Sequence, residues 1–369
     1  MQAAFGDCLV VEIGSPDGPR FLLVDGGPAE TYEAHLRPLL SRLAERVPSL
    51  DLCVLSHVDN DHVGGLLGFV RELEREGRSA PTIPRIAQLW HNSFAQAVGS
   101  AELVPLVERV VRVVGPVVSE MPAFGRVMRG FEEGDELRSA ALRLRIPLNR
   151  GFPAGQVLVD GSVPIRLGAA TVHVIGPSRH VLEDLREEWV RWLARHRDRL
   201  RRAAPGAAAA IAADQSVPNL SSICLLVEVG SRSLLLTGDA RGDQVLAGLR
   251  AAGLLHEGGQ RHVSVMKVPH HGSARNVDPA FLRAVPAEIY VVSADGRYGN
   301  PDHEALAMIV EVAHESGRPI RLAATNRTAS IERLLVSHPP DSFGYRISIL
   351  RPGRDSFVVD VPARKLRAP

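Results

Sequence analysis

The sequence predicts an α/β protein, because short apolar runs of strand length alternate with longer segments of helical spacing. Two strand-like runs, Cys8–Ile13 and Arg20–Val24, flank a turn-forming stretch and predict a hairpin. Leu52–Leu55 is a third apolar run, typical of a buried strand. Leucines at helical spacing predict a helix over Thr31–Val47, and a second helix is expected over Leu66–Arg78.

The rest of the chain continues this alternation and is long enough for one large domain with insertions. Strands are expected at Ile86–Trp90 and His262–Val268. Val163–Leu167 and Ala170–Ile175 are expected to pair as neighbouring strands, and Ser222–Val229 and Ser233–Leu236 to form a hairpin. Helices are expected at Ala101–Val114, Asp135–Ile146, Leu182–Arg202 and Pro301–Ser316. A closing hairpin is expected after Asp341. We predict one domain over residues 1–369, with 91–160 as an insertion facing the substrate and 180–213 as a long helix followed by a flexible Ala/Gly/Pro connector.

A dense group of potential metal ligands follows the Leu52–Leu55 run. Two histidines and two aspartates occur within six positions: His57, Asp59, Asp61 and His62. Carboxylates buried beside imidazoles are costly unless a cation lies between them, and both groups are good ligands for zinc, manganese or iron. A polar surface loop is the competing interpretation. The density of ligands, and their place between a strand and a helix, favours a metal site.

These residues form part of a larger motif. The pattern His57-x-Asp59-x-Asp61-His62-x-Gly64-Gly65 resembles the signature loop of the metallo-β-lactamase-fold hydrolases. In its Asp59 variant it most resembles the soluble hydrolase domain of ComEC-type DNA-uptake proteins and their free-standing bacterial relatives. The resemblance implies an αββα sandwich of two mixed β-sheets flanked by helices, with metals at one edge between the sheets. Five further segments match in the expected order: Phe5–Cys8, Leu23–Gly27, Leu236–Ala240, Val268–Ser273 and Arg297–Pro301.

The resemblance also implies roles for individual residues. The implied metal ligands are His57, Asp59, Asp61, His62, Asp239 and His270. Asp239 takes the place of the carboxylate that bridges two metals, since its two oxygens can each bind one cation. Asp59, Asp61 and His271 are implied as catalytic: Asp59 binds metal or orients the attacking hydroxide, and His271 acts as a general acid or holds an anionic oxygen. Structural roles for His270 and His271 are the alternative.

Five more residues are expected to support the ligands or to contact substrate: Asp25, Asn219, Ser273, Asn300 and His303. Asn219 stands where most of the superfamily has a histidine ligand. Because an amide oxygen is a poorer zinc ligand than imidazole, we expect one or two divalent ions, zinc or manganese. Asp25 either supports the metal loop, residues His57–His62, from behind or is a turn carboxylate. His303 replaces a histidine that relatives carry near Asn300, or simply begins the following helix.

The composition excludes some classes of protein. A net charge of +1 gives no whole-chain signal for a polyanion or a membrane surface. No apolar run is long enough to cross a bilayer, and the first residues lack the basic flank and apolar core of a signal peptide. Cys8, Cys53 and Cys224 lie in apolar runs and are expected to be buried reduced thiols. We therefore expect a cytoplasmic protein with no membrane partner.

The Leu182–Arg202 segment is dense in arginine, which allows two interpretations. An arginine-rich helix can contact nucleic acid. The arginines are balanced by Glu183, Glu187 and Glu188, however, and charge runs usually face water, so we favour a solvated helix.

The ligand set predicts a metal-dependent hydrolase that uses a metal-activated hydroxide. The resemblance favours a phosphodiester substrate, and therefore a phosphodiesterase or nuclease acting on DNA or RNA. One alternative is a hydrolase of the same fold for a small ester, thioester, lactone or cyclic nucleotide. The other is a non-catalytic, metal-stabilised regulatory or binding subunit. The sequence does not determine the oligomeric state.

Overall fold

The computed structural model describes residues 1–77, 81–92, 124–152, 155–187, 191 and 221–361, with the side chains of residues 124–131 left out. Over these residues the chain combines helices with multi-stranded mixed sheets, which agrees with the predicted α/β class. The predicted helix Ala101–Val114 and residue Asn219 lie outside the described residues, as do the connector and parts of the 91–160 segment and of the Leu182–Arg202 helix.

The first sheet is formed by the N-terminal part of the chain. Its four strands are β1 Leu9–Ile13, β2 Arg20–Val24, β4 Leu52–Leu55 and β6 Leu89–His91, in the order β1-β2-β4-β6. The first two form the predicted antiparallel hairpin, and β2, β4 and β6 run parallel. Two short strands, β3 Ser49–Leu50 and β5 Arg85–Ile86, pair separately. The single strand predicted over Ile86–Trp90 is therefore wrong, because Ile86 pairs with Leu50 whereas Leu89 pairs with Cys53.

The second sheet has eight strands in chain order from one edge to the other. They are β7 Ile165–Leu167, β8 Ala170–Gly176, β9 Cys224–Val229, β10 Arg232–Leu236, β11 Val263–Lys267, β12 Ala287–Val292, β13 Ile320–Ala324 and β14 Tyr345–Ile349. Neighbouring strands are antiparallel from β7 to β10, which confirms the two predicted hairpins, and parallel from β10 to β14.

The helices connect and flank the sheets. Those with defined bounds are α1 Ala29–Thr31, α2 Arg37–Ala44, α3 Asn60–Glu76, α4 Phe124–Arg143, α5 Gly242–Ala251, α6 Pro279–Ala284, α7 His303–Glu315, α8 Ala329–Ser337 and α9 Pro340–Phe343. A π-helical turn, Tyr32–Leu36, joins α1 to α2 within the predicted helix Thr31–Val47. The closing hairpin predicted after Asp341 is wrong, because α9 leads into β14, which pairs parallel with β13. Within the described ranges, no helix has the length and apolar character needed to span a bilayer.

Three apolar clusters hold the layers together. The first sheet packs against α2, α3 and α4, and the second sheet packs against α5 to α8. A third cluster contains residues of both sheets: Leu22, Val54 and Trp90 of the first share it with Val172 and Leu225 of the second. Burial of these side chains at about 25 cal/mol per Å² is the main favourable contribution to the folded state.

Helix α3 begins at Asn60, six residues earlier than the predicted start at Leu66. The predicted helix began after the Gly64-Gly65 pair, and glycine is a poor helix former. Here the two glycines allow a close approach instead. A Cβ atom on Gly65 would lie 2.0 Å from the carbonyl oxygen of Gly26, so the helix packs directly on the loop after β2. Because α3 begins at Asn60, its first turn carries the side chains of Asp61 and His62.

The carboxyl ends of parallel strands in both sheets meet on one side of the molecule. In the first sheet, Asp25 follows β2 and the 56–62 loop follows β4; in the second, Asp239 comes shortly after β10. The backbone N–H of Ile223, just before β9, donates a hydrogen bond to the carbonyl oxygen of Ser56 at 2.8 Å. This bond joins the two sheets beside the metal loop.

Candidate metal centre

Four buried side chains from distant parts of the sequence meet where the two sheets join. Asp7, His62, Asp239 and His271 each offer one ligand atom, and these four atoms lie within 4.8 Å of one another. Among the described residues, this is the one group of histidine and carboxylate side chains spaced closely enough to hold a metal ion.

The carboxylate of Asp239 divides the centre into two halves. Its Oδ2 atom lies 3.5 Å from Nε2 of His57 and 3.5 Å from Nε2 of His270. Its Oδ1 atom lies 3.5 Å from Nε2 of His62 and 3.7 Å from Nε2 of His271. One oxygen thus faces each pair of imidazoles, the arrangement needed for a carboxylate shared by two cations.

Each half also has a carboxylate of its own from the metal loop. Asp59 Oδ2 lies 3.6 Å from Nε2 of His57. Asp61 Oδ2 lies 3.4 Å from Nε2 of His271 and 3.9 Å from Nε2 of His62. Asp59 precedes the first residue of α3 and Asp61 lies in its first turn, where the helix dipole favours negative charge.

The geometry and the unpaired atoms of this centre fit a divalent metal ion. Within the described part of the chain, seven buried nitrogen and oxygen atoms of these side chains have no hydrogen-bond partner: Nε2 of His57, His62 and His271, Oδ1 of Asp59 and Asp239, and both carboxylate oxygens of Asp7. The separations of 3.4–3.9 Å are longer than ordinary N–H···O hydrogen bonds. Two ligands at about 2.0–2.1 Å from a tetrahedral zinc lie about 3.3 Å apart, so small movements would accommodate an ion.

Asp25 holds the loop from behind. Its Oδ1 accepts a hydrogen bond from the backbone N–H of Ser56 at 2.7 Å, and its Oδ2 accepts one from the Ser56 hydroxyl at 2.7 Å. The same Oδ2 lies 2.8 Å from Nδ1 of His62. A proton on Nδ1 leaves a free lone pair on Nε2, the atom that faces Asp239, so that Nε2 can bind a metal.

Ser222 supports the other half, and sequence analysis assigned it no role. Its Oγ lies 3.2 Å from Nδ1 of His57 and accepts a hydrogen bond from the backbone N–H of Asp239 at 3.0 Å. A serine just before a strand is common, so only the three-dimensional contact distinguishes this one.

The two adjacent histidines occupy a strained turn. His270 and His271 have φ values of 45° and 55°, in the left-handed region that costs a non-glycine residue about 1–3 kcal/mol. The His271 ring is buried, with Nδ1 2.9 Å from the carbonyl oxygen of Ser293. The His270 side chain is 43% exposed, and its Nδ1 lies 3.1 Å from Oδ1 of Asn276. The turn thus places one ring inside the cluster and the other at its rim.

A buried ion pair lies behind His271. Lys267 Nζ is 2.6 Å from Asp7 Oδ2, and both side chains are 1% exposed. Asp7 Oδ1 lies 3.4 Å from Nδ1 of His271. The motif segment Phe5–Cys8 contained Asp7 without indicating its role. Lys267 is one of only two lysines in an arginine-rich chain. Its rarity was visible in the sequence, but the sequence did not show that it pairs with Asp7.

The pKa values show that the centre favours positive charge. Burial alone would raise the pKa of the Asp61 carboxyl, but the imidazoles of His62 and His271 outweigh burial and lower it to about 2. Burial alone would lower the pKa of His271, but the carboxylates of Asp7 and Asp239 raise it to about 10. A carboxylate-rich centre that stabilises a proton to this extent also attracts a metal cation.

Three other predicted residues have contacts of a different kind. Ser273 Oγ accepts a hydrogen bond from the backbone N–H of Arg275 at 3.4 Å, inside the turn. Asn300 Nδ2 donates to the carbonyl oxygen of His270 at 3.4 Å. His303 is the first residue of α7, and its Nε2 lies 2.9 Å from Ser337 Oγ.

The cysteines are buried and free of disulfides, as predicted: Cys8, Cys53 and Cys224.

Comparison with known proteins supports a metal centre in the N-terminal part of the chain. Residues 3–92 match the sequence model of the metallo-beta-lactamase superfamily. The match includes Asp7 and the His57–His62 loop, whereas Asp239 and His271 lie beyond it. No curated protein sequence matches the chain significantly. The superfamily match and the His/Asp cluster together suggest a metal-dependent hydrolase.

The Lys267–Asp7 pair leads to a prediction about stability. Lys267→Met leaves the Asp7 carboxylate buried without its cation, which should lower the free energy of unfolding by about 3–5 kcal/mol. Urea denaturation in the presence of a chelator measures this loss without a contribution from bound metal. Adding Asp7→Asn to Lys267→Met should recover much of it, because the uncompensated charge is then gone.

Arg283→Met is the matched control, since its ion pair with Glu315 is more than half exposed on both sides. Its effect should be within about 1 kcal/mol. A Lys267→Met protein as stable as the Arg283→Met protein would contradict the assigned role of the buried pair.

Proposed function

We propose that this protein is a metal-dependent phosphodiesterase that cleaves nucleic acid. The observation that carries the proposal is the placement of Asp239, whose two carboxylate oxygens face two separate groups of imidazole and carboxylate ligands. An in-line displacement at phosphorus suits such a two-ion centre, because one ion can stabilise the attacking oxygen and the other the leaving oxygen. The motif resemblance to hydrolase domains of DNA-uptake proteins supports the same substrate class.

The proposal includes the αββα sandwich and a single domain over residues 1–369. Support comes from the apolar cluster shared by the two sheets. It also comes from contacts between the ends of the described chain: the backbone N–H of Gln2 donates to the carbonyl oxygen of Asp355 at 2.7 Å, and the Gln2 side chain bonds Asn326. In this proposal the 91–160 segment is an insertion that faces the substrate, and the protein acts in the cytoplasm.

Two divalent cations, zinc or manganese, are proposed as cofactors. One would be held by His57, Asp59 and Asp239, the other by Asp61, His62, His271 and the second oxygen of Asp239. Asp7 is assigned a supporting role instead, because it pairs with Lys267 and faces Nδ1 of His271. Such ions, when bound, lower the pKa of water and offset the charge that develops on a phosphoryl group. The half formed by His57, Asp59 and Asp239 suits manganese as well as zinc, because carboxylate oxygens are good ligands for manganese.

We propose that the expected roles of the paired histidines are exchanged. We assign His271 as a ligand, because its Nε2 atom is buried among Asp61 and Asp239 without a hydrogen bond. We assign His270 as the proton donor, because its half-exposed ring lines a pocket of about 170 Å³ that opens onto the centre. A proton on Nδ1 is held by Asn276. Its Nε2 then delivers a proton to the oxygen of the leaving group as the P–O bond breaks.

The proposed function is tested with Asp239→Asn. An amide offers one oxygen in place of two, so the variant should bind fewer ions per chain and lose about 10³-fold in kcat/KM. The measurements are elemental analysis and chelator-sensitive cleavage of DNA, RNA and bis(4-nitrophenyl) phosphate. Asp243→Asn is the control, since Asp243 lies four residues along the chain with an exposed side chain.

Cleavage of small carboxylic esters, thioesters or lactones with no phosphodiester cleavage would replace the proposed function with a small-molecule hydrolase. Metal content and activity unchanged in Asp239→Asn would contradict the two-ion centre itself. A protein that binds no metal under any loading condition would be a binding subunit rather than an enzyme.

The reversed assignment of the histidines gives a separate prediction. His271→Ala should lower metal content and activity together. His270→Ala should keep the metal content of the unsubstituted protein and lose about 10²–10⁴-fold in kcat, as expected for a missing general acid. A substrate with a leaving group of low pKa should reduce the loss in His270→Ala, because such an oxygen leaves without a proton. Equal metal loss in both variants would make His270 a ligand and overturn the assignment.

A further inference from the structure

We infer that Phe5, Arg297 and Tyr298 form a subsite that holds a nucleobase and a neighbouring phosphate of a single-stranded nucleic acid. The inference rests on the proposed phosphodiesterase function and adds to it the form of the substrate. It is carried by a group of aromatic and cationic side chains at the mouth of the metal centre.

The subsite adjoins the reactive groups. The lining of the 170 Å³ pocket includes the metal-centre residues Asp61, His270 and His271 together with Phe5, Tyr298 and Asp295. A ligand that enters this pocket therefore contacts the aromatic side chains and the metal-binding side chains at the same time.

The aromatic side chains are arranged as a platform. The Phe5 and Tyr298 rings meet edge to face, with centroids 5.0 Å apart and planes at 89°. Tyr298 is 47% exposed, and it is the one aromatic residue among the strongly exposed large apolar side chains of the described chain. An exposed ring beside a reactive pocket is the element on which single-stranded nucleic acids stack their bases, whereas duplex bases are already stacked on each other.

A cation completes the subsite. The guanidinium carbon of Arg297 lies 5.0 Å from the Phe5 ring centroid, and the side chain is 58% exposed. Its carboxylate neighbour Asp295 is 3.9 Å from Nε, at the outer limit of an ion pair. The terminal nitrogens can therefore contact a phosphate while the guanidinium stays over the ring.

The subsite is fixed to the metal centre by the backbone. Arg297 and Tyr298 occupy the middle of a turn closed by the hydrogen bond from Gly299 N–H to the Gly296 carbonyl at 3.1 Å. Earlier in the same loop, the Ser293 hydroxyl donates to the Gly6 carbonyl at 2.6 Å, and the Ser293 carbonyl lies 2.9 Å from Nδ1 of His271. One loop thus positions both the platform and a proposed ligand.

Binding of labelled oligonucleotides by fluorescence anisotropy tests the inference, with calcium in place of manganese to prevent cleavage. The unsubstituted protein should bind single-stranded DNA and RNA more tightly than a duplex of the same length. Tyr298→Ala should bind the single strands about tenfold more weakly, whereas Tyr298→Phe, which keeps the ring, should bind normally. Arg297→Gln should weaken binding and make it less dependent on salt concentration. Unequal affinity for DNA and RNA would show which polymer the subsite prefers.

Elemental analysis of each variant serves as the control, because a change confined to the subsite leaves the metal content unaltered. Equal binding by Tyr298→Ala and the unsubstituted protein, or no preference for single strands, would overturn the subsite. If Asp239-dependent nuclease activity persists in that case, the proposed function stands. If the unsubstituted protein neither binds nor cleaves nucleic acid, the proposed function fails and this inference fails with it.

Discussion

The concentration of negative charge between the two sheets is the constraint on which the rest of the structure depends. Five carboxylates lie in or directly behind the centre: Asp7, Asp25, Asp59, Asp61 and Asp239. Within the described chain, Lys267 is the permanent cation in contact with them. With neutral imidazoles this leaves four uncompensated negative charges, which two divalent ions would balance. Without bound ions, protons on His62 and His271, whose pKa values the carboxylates raise, offset part of this excess. The centre therefore favours cations, either bound protons or metal ions.

The fold meets this constraint by presenting the ligands on short connections at the ends of buried strands. Close backbone approaches keep these connections in place. A Cβ atom on Gly6 would lie 2.0 Å from the Asp61 carbonyl oxygen, and the Asp7 N–H donates to the same oxygen at 3.2 Å. The N-terminal loop therefore supports the metal loop directly. Because the ligands stand near helix and strand ends, the packed sheets and helices fix their positions.

Sequence reasoning predicted the parts of this centre that are contiguous in the chain. The His57–His62 loop was predicted because four potential metal ligands in six residues have no packing explanation. The hairpins were predicted because strand and turn patterns are local. Contacts across long sequence separations were missed, as with Asp7, Lys267 and Ser222, since each is an ordinary residue until the partner is known. The start of α3 was missed for a related reason: the glycines that precede the predicted start serve a contact with a distant loop.

The most direct test of the two-ion centre is the anomalous scattering of manganese in crystals of the loaded protein. Two peaks are expected, one beside each carboxylate oxygen of Asp239. The first should contact Nε2 of His57, and the second should contact Nε2 of His62 and of His271. A single peak on one side of Asp239, or ions bound elsewhere with this centre empty, would contradict the proposed two-ion centre.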